Sequence, residues 1–546
     1  MPRRARGYRS IIHWVMNNEG TGACPSPLNA KPAARPMTAR TVMVQGTASS
    51  VGKSLIAAAL CRAFAREGLR VAPFKAQNMS NNASALPSGG EIGRAQALQA
   101  LAAGAEPDAR MNPVLLKPEG DARSQVVLLG SPYKTLKAGD YRLDREVLWK
   151  AVTESLDSLR SEYDLVVIEG AGSPVEINLK AGEIVNMAVA RYASSPVLLV
   201  GDIDCGGVFA QFAGTLALLE PAERELVRGL VVNKFRGDPT LLEPGLEMMR
   251  DITGVRVLGV VPWLRDLGLA EEDGASLDAR ERAGGAVTSE SSPASTPRID
   301  IAVIRLPRIA NFDDVDALGL EEGVATRFVS KASELGSPDA VILPGSKATL
   351  SDLEWLKTEG LDDGIRWLAR LGRSVVGICG GYQMLGEAIR DPDGVEGPPR
   401  GERGLGLLPV DTLFGPGKSA RPRRGRIAPG GCGFLASAGG LAVSGYEIHA
   451  GRSEVRGPAL LALEASGEAE ASSDGTWSRG GRVFGSYLHG LFDLPAFRRA
   501  WLASLGRDAA GPARALSEAR QEALDRLADS VSAALDMGEL RRIIGF

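Results

Sequence analysis

Gly377-Ile378-Cys379-Gly380-Gly381 follows the apolar run Ser374-Val375-Val376 and precedes Tyr382-Gln383-Met384-Leu385-Gly386. The run predicts a strand, the glycines a sharp turn, and the following segment the start of a helix. A cysteine at that junction stands on a nucleophile elbow. The glycines let the backbone fold tightly enough to push the thiol out at the end of a sheet. A helix N-terminus behind it favours the thiolate, the reactive form. A lone cysteine is more often a buried structural residue. The flanking glycines and the strand-to-helix setting favour the nucleophile here.

A thiol nucleophile needs a base, and the chain has only three histidines, His13, His449 and His489. His489 ends the apolar segment Val483-Phe484-Gly485-Ser486-Tyr487-Leu488, at the C-terminal end of an expected strand, where reactive groups of open α/β sheets lie. His449 ends a similar segment, and either ring can be structural. His489 is favoured as the base.

A second strand-to-helix junction lies near the start. Gly46-Thr47-Ala48-Ser49-Ser50-Val51-Gly52-Lys53-Ser54 has the form of a phosphate-binding loop, with five residues between Gly46 and Gly52 where the common pattern has four. Backbone amides of Gly46, Thr47, Val51 and Gly52 are expected to cradle phosphates. Lys53 is expected to neutralise β/γ oxygens and Ser54 to ligate Mg²⁺. Glu169, Asp202 and Asp204 follow expected strands and are candidate metal carboxylates, or else loop carboxylates that cap helices. Asn233, in Asn233-Lys234-Phe235-Arg236, is a weaker candidate for reading a nucleotide base.

The chain of 546 residues is long enough for two or three domains. Its net charge of −3 argues against nucleic acid as the main partner. Five scattered cysteines show neither metal spacing nor a disulfide framework, which fits a reducing cytoplasm. No apolar run approaches membrane-spanning length. Strands are expected at 41–45, 71–74, 165–169, 197–201, 229–233 and 257–260, with a helix at 55–67. A second alternating region has strands at 299–304, 340–343, 374–378, 441–448 and 483–488. Gly/Pro/Arg-rich loops are expected at 391–403 and 415–433, and an amphipathic helix at 517–535. The expected organisation is a tail or overextended start at 1–36, an ATP-dependent synthetase domain at 37–266, a linker at 267–297, a second α/β domain at 298–510 and a helical segment at 511–546. A targeting segment is the alternative for the first stretch.

The longer phosphate loop resembles that of dethiobiotin synthetase-like enzymes, which phosphorylate carboxylates. Phe74-Lys75-Ala76-Gln77-Asn78-Met79-Ser80-Asn81-Asn82, Glu91-Ile92-Gly93-Arg94-Ala95-Gln96, Met111-Asn112-Pro113-Val114-Leu115-Leu116-Lys117-Pro118, the stretch from Asp202 to Ala210, Leu343-Pro344-Gly345-Ser346-Lys347-Ala348-Thr349 and the Tyr446 and His489 segments resemble the cobyric acid synthase family of corrinoid amidotransferases. The resemblance runs from about residue 41 to the C-terminus. It implies a P-loop domain followed by a class I, triad-type glutamine amidotransferase domain. It also implies ATP- and glutamine-dependent amidation of the b, d, e and g carboxylates of adenosylcobyrinic acid a,c-diamide, giving adenosylcobyric acid in cobalamin biosynthesis. On that resemblance Cys379 forms a γ-glutamyl thioester, His489 relays protons, and the amides of Gly345 and Gly380 are oxyanion-hole candidates. Lys75, Gln77, Asn78, Asn81 and Asn82 are expected substrate contacts, and an internal passage is expected between the thiol and the phosphate loop.

Two positions depart from the pattern. Leu491 stands where triad glutaminases carry the glutamate that orients the histidine, and Glu447 is a candidate substitute. Cys205 stands where the family has arginine. The alternatives are a cobyrinic acid a,c-diamide synthase and, from another class, a ParA/MinD-like ATPase switch.

Overall fold

Apolar runs with almost no polar interruption build the first sheet. Leu165–Glu169 is buried at every position, the signature of a parallel strand covered on both faces. Six parallel strands lie in the order Val257–Pro262, Val227–Phe235, Val197–Asp202, Arg40–Gly46, Leu165–Glu169, Val71–Phe74. The structure, a computed structural model, describes residues 38–120, 123–137, 144–264, 267–269, 299–465, 470–506 and 511–546. The expected N-terminal tail and most of the expected linker, with His13 and Cys24, lie outside the described residues.

The helix Lys53–Arg66 places Ile56, Leu60 and Phe64 four residues apart on one buried face. Gly68, at φ 91°, stands just past its end. The C-terminal helix Leu516–Ala534 returns to this half of the molecule. Its Leu524 and Leu527 are buried in the same cluster as Ile56 and Leu60, each worth roughly 1.5–3 kcal/mol of burial.

The second sheet has a parallel core in the order Val324–Val329, Ile299–Ile304, Ala340–Leu343, Ser374–Ile378, Val483–Ser486. It continues antiparallel through Ser472–Ser478, Ala459–Leu463 and Val410–Ile427. Here one expectation is corrected. Most of the segment expected as a loop at 415–433 belongs to Val410–Ile427, an 18-residue strand paired along most of its length with Ala442–Val455. Its glycines, prolines and arginines suit a strand whose pairing shifts register between Leu413 and Lys418. Part of the other expected loop is likewise the short strand Arg400–Arg403.

A third sheet had no counterpart in the sequence reading. Gln77–Met79, Val114–Gly120, Arg123–Leu128 and Ser131–Lys137 form a four-stranded sheet inserted in sequence between Val71–Phe74 and Leu165–Glu169 of the first sheet. With the hairpin Ala83–Ala85/Glu91–Gly93 it reaches the second half of the chain. Ala83, Ala85, Leu115 and Val127 share one small buried cluster with Tyr446 and Ile448.

Candidate functional site

The residues expected at the phosphate loop meet at the C-terminal ends of adjacent strands, the usual ligand crevice of an open parallel sheet. Gly52 has φ 98°, and a Cβ there would stand 2.1 Å from Asn233 Nδ2, so only glycine fits. Lys53 Nζ donates to the carbonyls of Ala48 at 2.9 Å and Gly172 at 3.1 Å, which folds it back over the loop. Glu169 is the hub of the site. It accepts from the Ser54 hydroxyl at 2.8 Å, from Lys75 Nζ at 2.9 Å and from Gln99 Nε2 at 2.6 Å.

Not every expected residue joins this hub. Asp202 pairs with Lys234 at 2.8 Å and Asp204 with Arg236 at 3.0 Å. Asn233 spends its amide donor on the carbonyl of Val51 at 2.8 Å, pinning the loop. Arg236 lies 4.0 Å above the ring of Trp263, a flat cationic platform beside the loop that sequence reasoning did not find. Thr47 donates to Gln211 at 2.8 Å. Cys205 is exposed, with its thiol 3.7 Å from Asp202 Oδ2.

The second site forms around the elbow. Cys379 adopts φ 53° and ψ −110°, between the strand Ser374–Ile378 and the short helix Gly380–Leu385. A non-glycine residue at positive φ is strained, and such strain concentrates at functional turns. Its thiol lies 3.4 Å from the carbonyl of Ile448. His489 Nδ1 lies 2.7 Å from Asp314 Oδ2, and Asp314 Oδ1 accepts from the amide of Gly490 at 2.9 Å. Burial alone would lower the imidazole's pKa, but Asp314 and Cys379, by charge and hydrogen bonding, push it up to about 10. The other candidate histidine is placed differently. His449 stacks on Tyr487 at 3.7 Å, contacts the carbonyl of Gly451, and is driven by burial down to about 4.

The expected orienter is corrected. Glu447 lies beside Arg421 and Arg423, each at 3.5 Å, whereas Asp314 holds the His489 ring. Asp314 sits 175 residues before the histidine, in the 3₁₀ segment Phe312–Leu320. Nothing local in Asn311-Phe312-Asp313-Asp314 marks it; only the topology of the second sheet brings it to His489. Leu491 is 1% exposed and packs in the core.

A cavity of about 410 Å³ opens over the thiol. Cys379, His489, Gly345, Gln383 and Glu396 line it from the second half of the chain, and Asn81, Lys117 and Gln125 from the first. Gly345 lines it, and a Cβ there would come 3.2 Å from His489 Cε1; a Cβ on Gly380, beside the thiol in sequence, would come 2.8 Å from the amide of Ser346. The expected substrate set therefore divides. Lys75 goes to Glu169. Asn78 is buried against Gln96 at 3.0 Å. Asn81 faces the thiol cavity, and Asn82 accepts from the Asn311 amide at 2.8 Å. Gln77 is half-buried on its short strand.

Residues 300–497 match the model of the CobB/CobQ-like glutamine amidotransferase domain, and residues 42–277 that of the CobQ/CobB/MinD/ParA nucleotide binding domain. The chain is 53% identical over 527 residues to a cobyric acid synthase of Sorangium cellulosum, covering 93% of this chain and 99% of that protein. It is 50% identical over 512 residues to the cobyric acid synthase of Chloroflexus aggregans, covering 93% and 99%. The chain belongs to the cobyric acid synthase family. It is an amidating enzyme of cobalamin biosynthesis with a nucleotide-binding half and a glutamine amidotransferase half.

Proposed function

We propose that the two sites carry out one coupled reaction: ATP-dependent activation of corrinoid carboxylates, followed by amidation with ammonia cut from glutamine. The substrate is adenosylcobyrinic acid a,c-diamide, its b, d, e and g carboxylates become amides, and the product is adenosylcobyric acid. The observation that supports this most strongly is the meeting of a thiol–imidazole–carboxylate row and a phosphate loop in a single compact unit.

In the thiol site, Cys379 Sγ attacks the side-chain amide carbon of glutamine. His489 Nε2 takes the thiol proton and passes it to the departing ammonia, while Asp314 holds the Nδ1–H and stabilises the imidazolium. The amides of Gly380 and Gly345 receive the oxyanion. Water then releases glutamate from the thioester and restores the thiol. In the phosphate site, a carboxylate oxygen takes the γ-phosphoryl group of ATP, because oxide is too poor a leaving group for direct attack by ammonia. Ammonia displaces phosphate from the acyl phosphate and forms the amide.

Lys53 and the loop amides would neutralise and orient the phosphates, and Lys75 would face the reacting carboxylate. Ser54 and Glu169 supply hard oxygen donors 2.8 Å apart, which suits Mg²⁺ bound together with phosphate oxygens and water. Among the described residues no group of three His, Cys, Asp or Glu could hold a metal by itself. When bound, Mg²⁺ would offset the charge of the transferring phosphoryl group.

Ammonia is mostly protonated in water at neutral pH, so an internal route preserves its nucleophilicity. Asn81 Oδ1 and Gln125 Oε1 are buried, line the thiol cavity from the first half of the chain, and have no protein partner. Acceptors so placed suit an ammonia molecule leaving the thiol. Among the described residues no helix is long and apolar enough to cross a membrane, and the described cysteines form no disulfide; a cytoplasmic location is the reading we favour. The test is to incubate the purified protein with candidate corrinoids, ATP, Mg²⁺ and glutamine and to read products by mass. Four amides added to the a,c-diamide support this substrate. Two added to an unamidated corrinoid, and none to the a,c-diamide, would assign the diamide-synthase alternative. Nucleotide turnover with no amidation of any corrinoid would return the ATPase-switch reading.

A further inference from the structure

The histidine of the thiol site is braced by a residue from the other half of the chain. The ring of Tyr446 stacks on His489, with centroids 5.0 Å apart and planes 13° from parallel. Arg94 donates from Nη2 to the Tyr446 hydroxyl at 2.5 Å and lies 5.0 Å over that ring. The same guanidinium pairs with Asp313 at 2.7 Å, the residue directly before the Asp314 that holds His489 Nδ1. Two neighbours of the imidazole, the stacked ring and the carboxylate-bearing segment, are thus gripped by one cation. Arg94 opens the helix Arg94–Ala103, whose Gln99 binds Glu169 in the phosphate site. Gln99 stands five positions after Arg94 along the helix, a rise of roughly 7–8 Å.

The geometry points to Arg94 as a positioning residue for His489. The glutaminase centre is then incomplete without the nucleotide-binding half, and the Arg94–Ala103 helix joins the two sites. This rests on the glutaminase reading given above. The charged and titratable groups facing the guanidinium are Asp313, Asp314, Asp493 and Tyr446, and Arg520 shares Asp313 at 3.2 Å. Burial opposes the charge on Arg94, and this acidic group more than offsets it. Removing the cation leaves Asp313 to Arg520 alone, releases the Tyr446 hydroxyl and leaves His489 in a more negative field. The imidazole loses its place, and the more negative field makes it hold its proton to higher pH.

The test uses the full chain, with glutamine hydrolysis followed as glutamate released. Arg94→Ala is expected to lower kcat at least ~10-fold, since misplacement of a reacting group by about 1 Å can cost ~10²-fold. KM for glutamine is expected to stay within about 3-fold, and the acid limb of the pH profile to move to higher pH. Arg94→Lys should recover part of kcat. Tyr446→Phe keeps the stacked ring but cuts the guanidinium link. It should lose less than Arg94→Ala, and combining the two should cost less than the sum. If Arg94→Ala does not fold, Arg94→Lys and Tyr446→Phe still decide through kcat and the acid limb. Unaltered kcat and an unmoved acid limb in the folded variants would overturn the inference. An unsubstituted protein that hydrolyses no glutamine would instead overturn the glutaminase reading itself.

Discussion

The two sites are built in opposite ways. The phosphate site is drawn largely from one continuous loop, with Glu169 and Lys75 added from neighbouring strands. The thiol site is assembled from three distant pieces, Asp314, Cys379 and His489. The first kind of site is set by local backbone geometry: a strand end, a tight turn and a helix N-terminus suffice. The second depends on the register of a whole sheet, in which Ser374–Ile378 lies against Val483–Ser486 and thereby brings the Cys379 turn beside the segment that carries His489.

If the sites divide the chemistry as proposed, substitutions should separate them cleanly. Cys379→Ser should show the largest effect, a loss of glutamine hydrolysis by about 10⁵–10⁶-fold. Ammonia-driven amidation should persist in it, as read by corrinoid mass. Asp314→Asn should lower glutamine turnover by roughly 10²–10⁴-fold, because the wrong tautomer is then held at Nδ1. Glu447→Gln, tested beside it, should leave turnover near the parent rate. Lys53→Ala should reduce both glutamine-driven and ammonia-driven synthesis by about 10²–10³-fold. Ammonia-driven synthesis at the parent rate in Lys53→Ala would remove phosphorylation from the account.

The thiol site should also mark itself in the pH dependence of stability. His489 is raised from its ordinary 6.5 to about 10. Its contribution to stability is therefore full below pH 6.5 and is lost as pH rises through about 10. Melting temperature should fall across that alkaline window, and Asp314→Asn should flatten the fall. The smallest effect belongs to the contact that ties the C-terminal helix to the phosphate-loop helix. Arg62 pairs with Asp525 at 2.9 Å, with Asp525 44% exposed. Asp525→Ala should cost only about 0.5 kcal/mol in denaturant unfolding, with both activities intact.

The sequence was most legible where chemistry and backbone coincide. The phosphate loop, the elbow, the strands of the first parallel sheet and four of the five in the second parallel core could be read because buried parallel strands are continuous apolar runs and their turns carry glycine; the edge strand Val324–Val329, only half of it buried, was missed. Asp314 was invisible because a carboxylate in a short 3₁₀ segment has no periodicity, and its partner lies 175 residues away. The 18-residue strand Val410–Ile427 was hidden by glycines, prolines and arginines that ordinarily mark loops. The four-stranded insert was missed because its polar segment, Gln77 to Asn82, carries the composition of a surface loop. In the fold that segment is spent on the interior and on contacts between the two halves. Arg94 belonged to a motif whose spelling was plain, while its purpose needed Tyr446, which lies 352 residues further along.

The central claim is that nitrogen freed at Cys379 reaches the activated carboxylate without entering the solvent. Glutamine carrying heavy nitrogen in its side-chain amide, supplied with ATP, Mg²⁺, the a,c-diamide and an excess of unlabelled ammonium, tests it directly. The account predicts that the new corrinoid amides carry the heavy isotope almost undiluted. Amides labelled only in proportion to the bulk ammonium pool would contradict it.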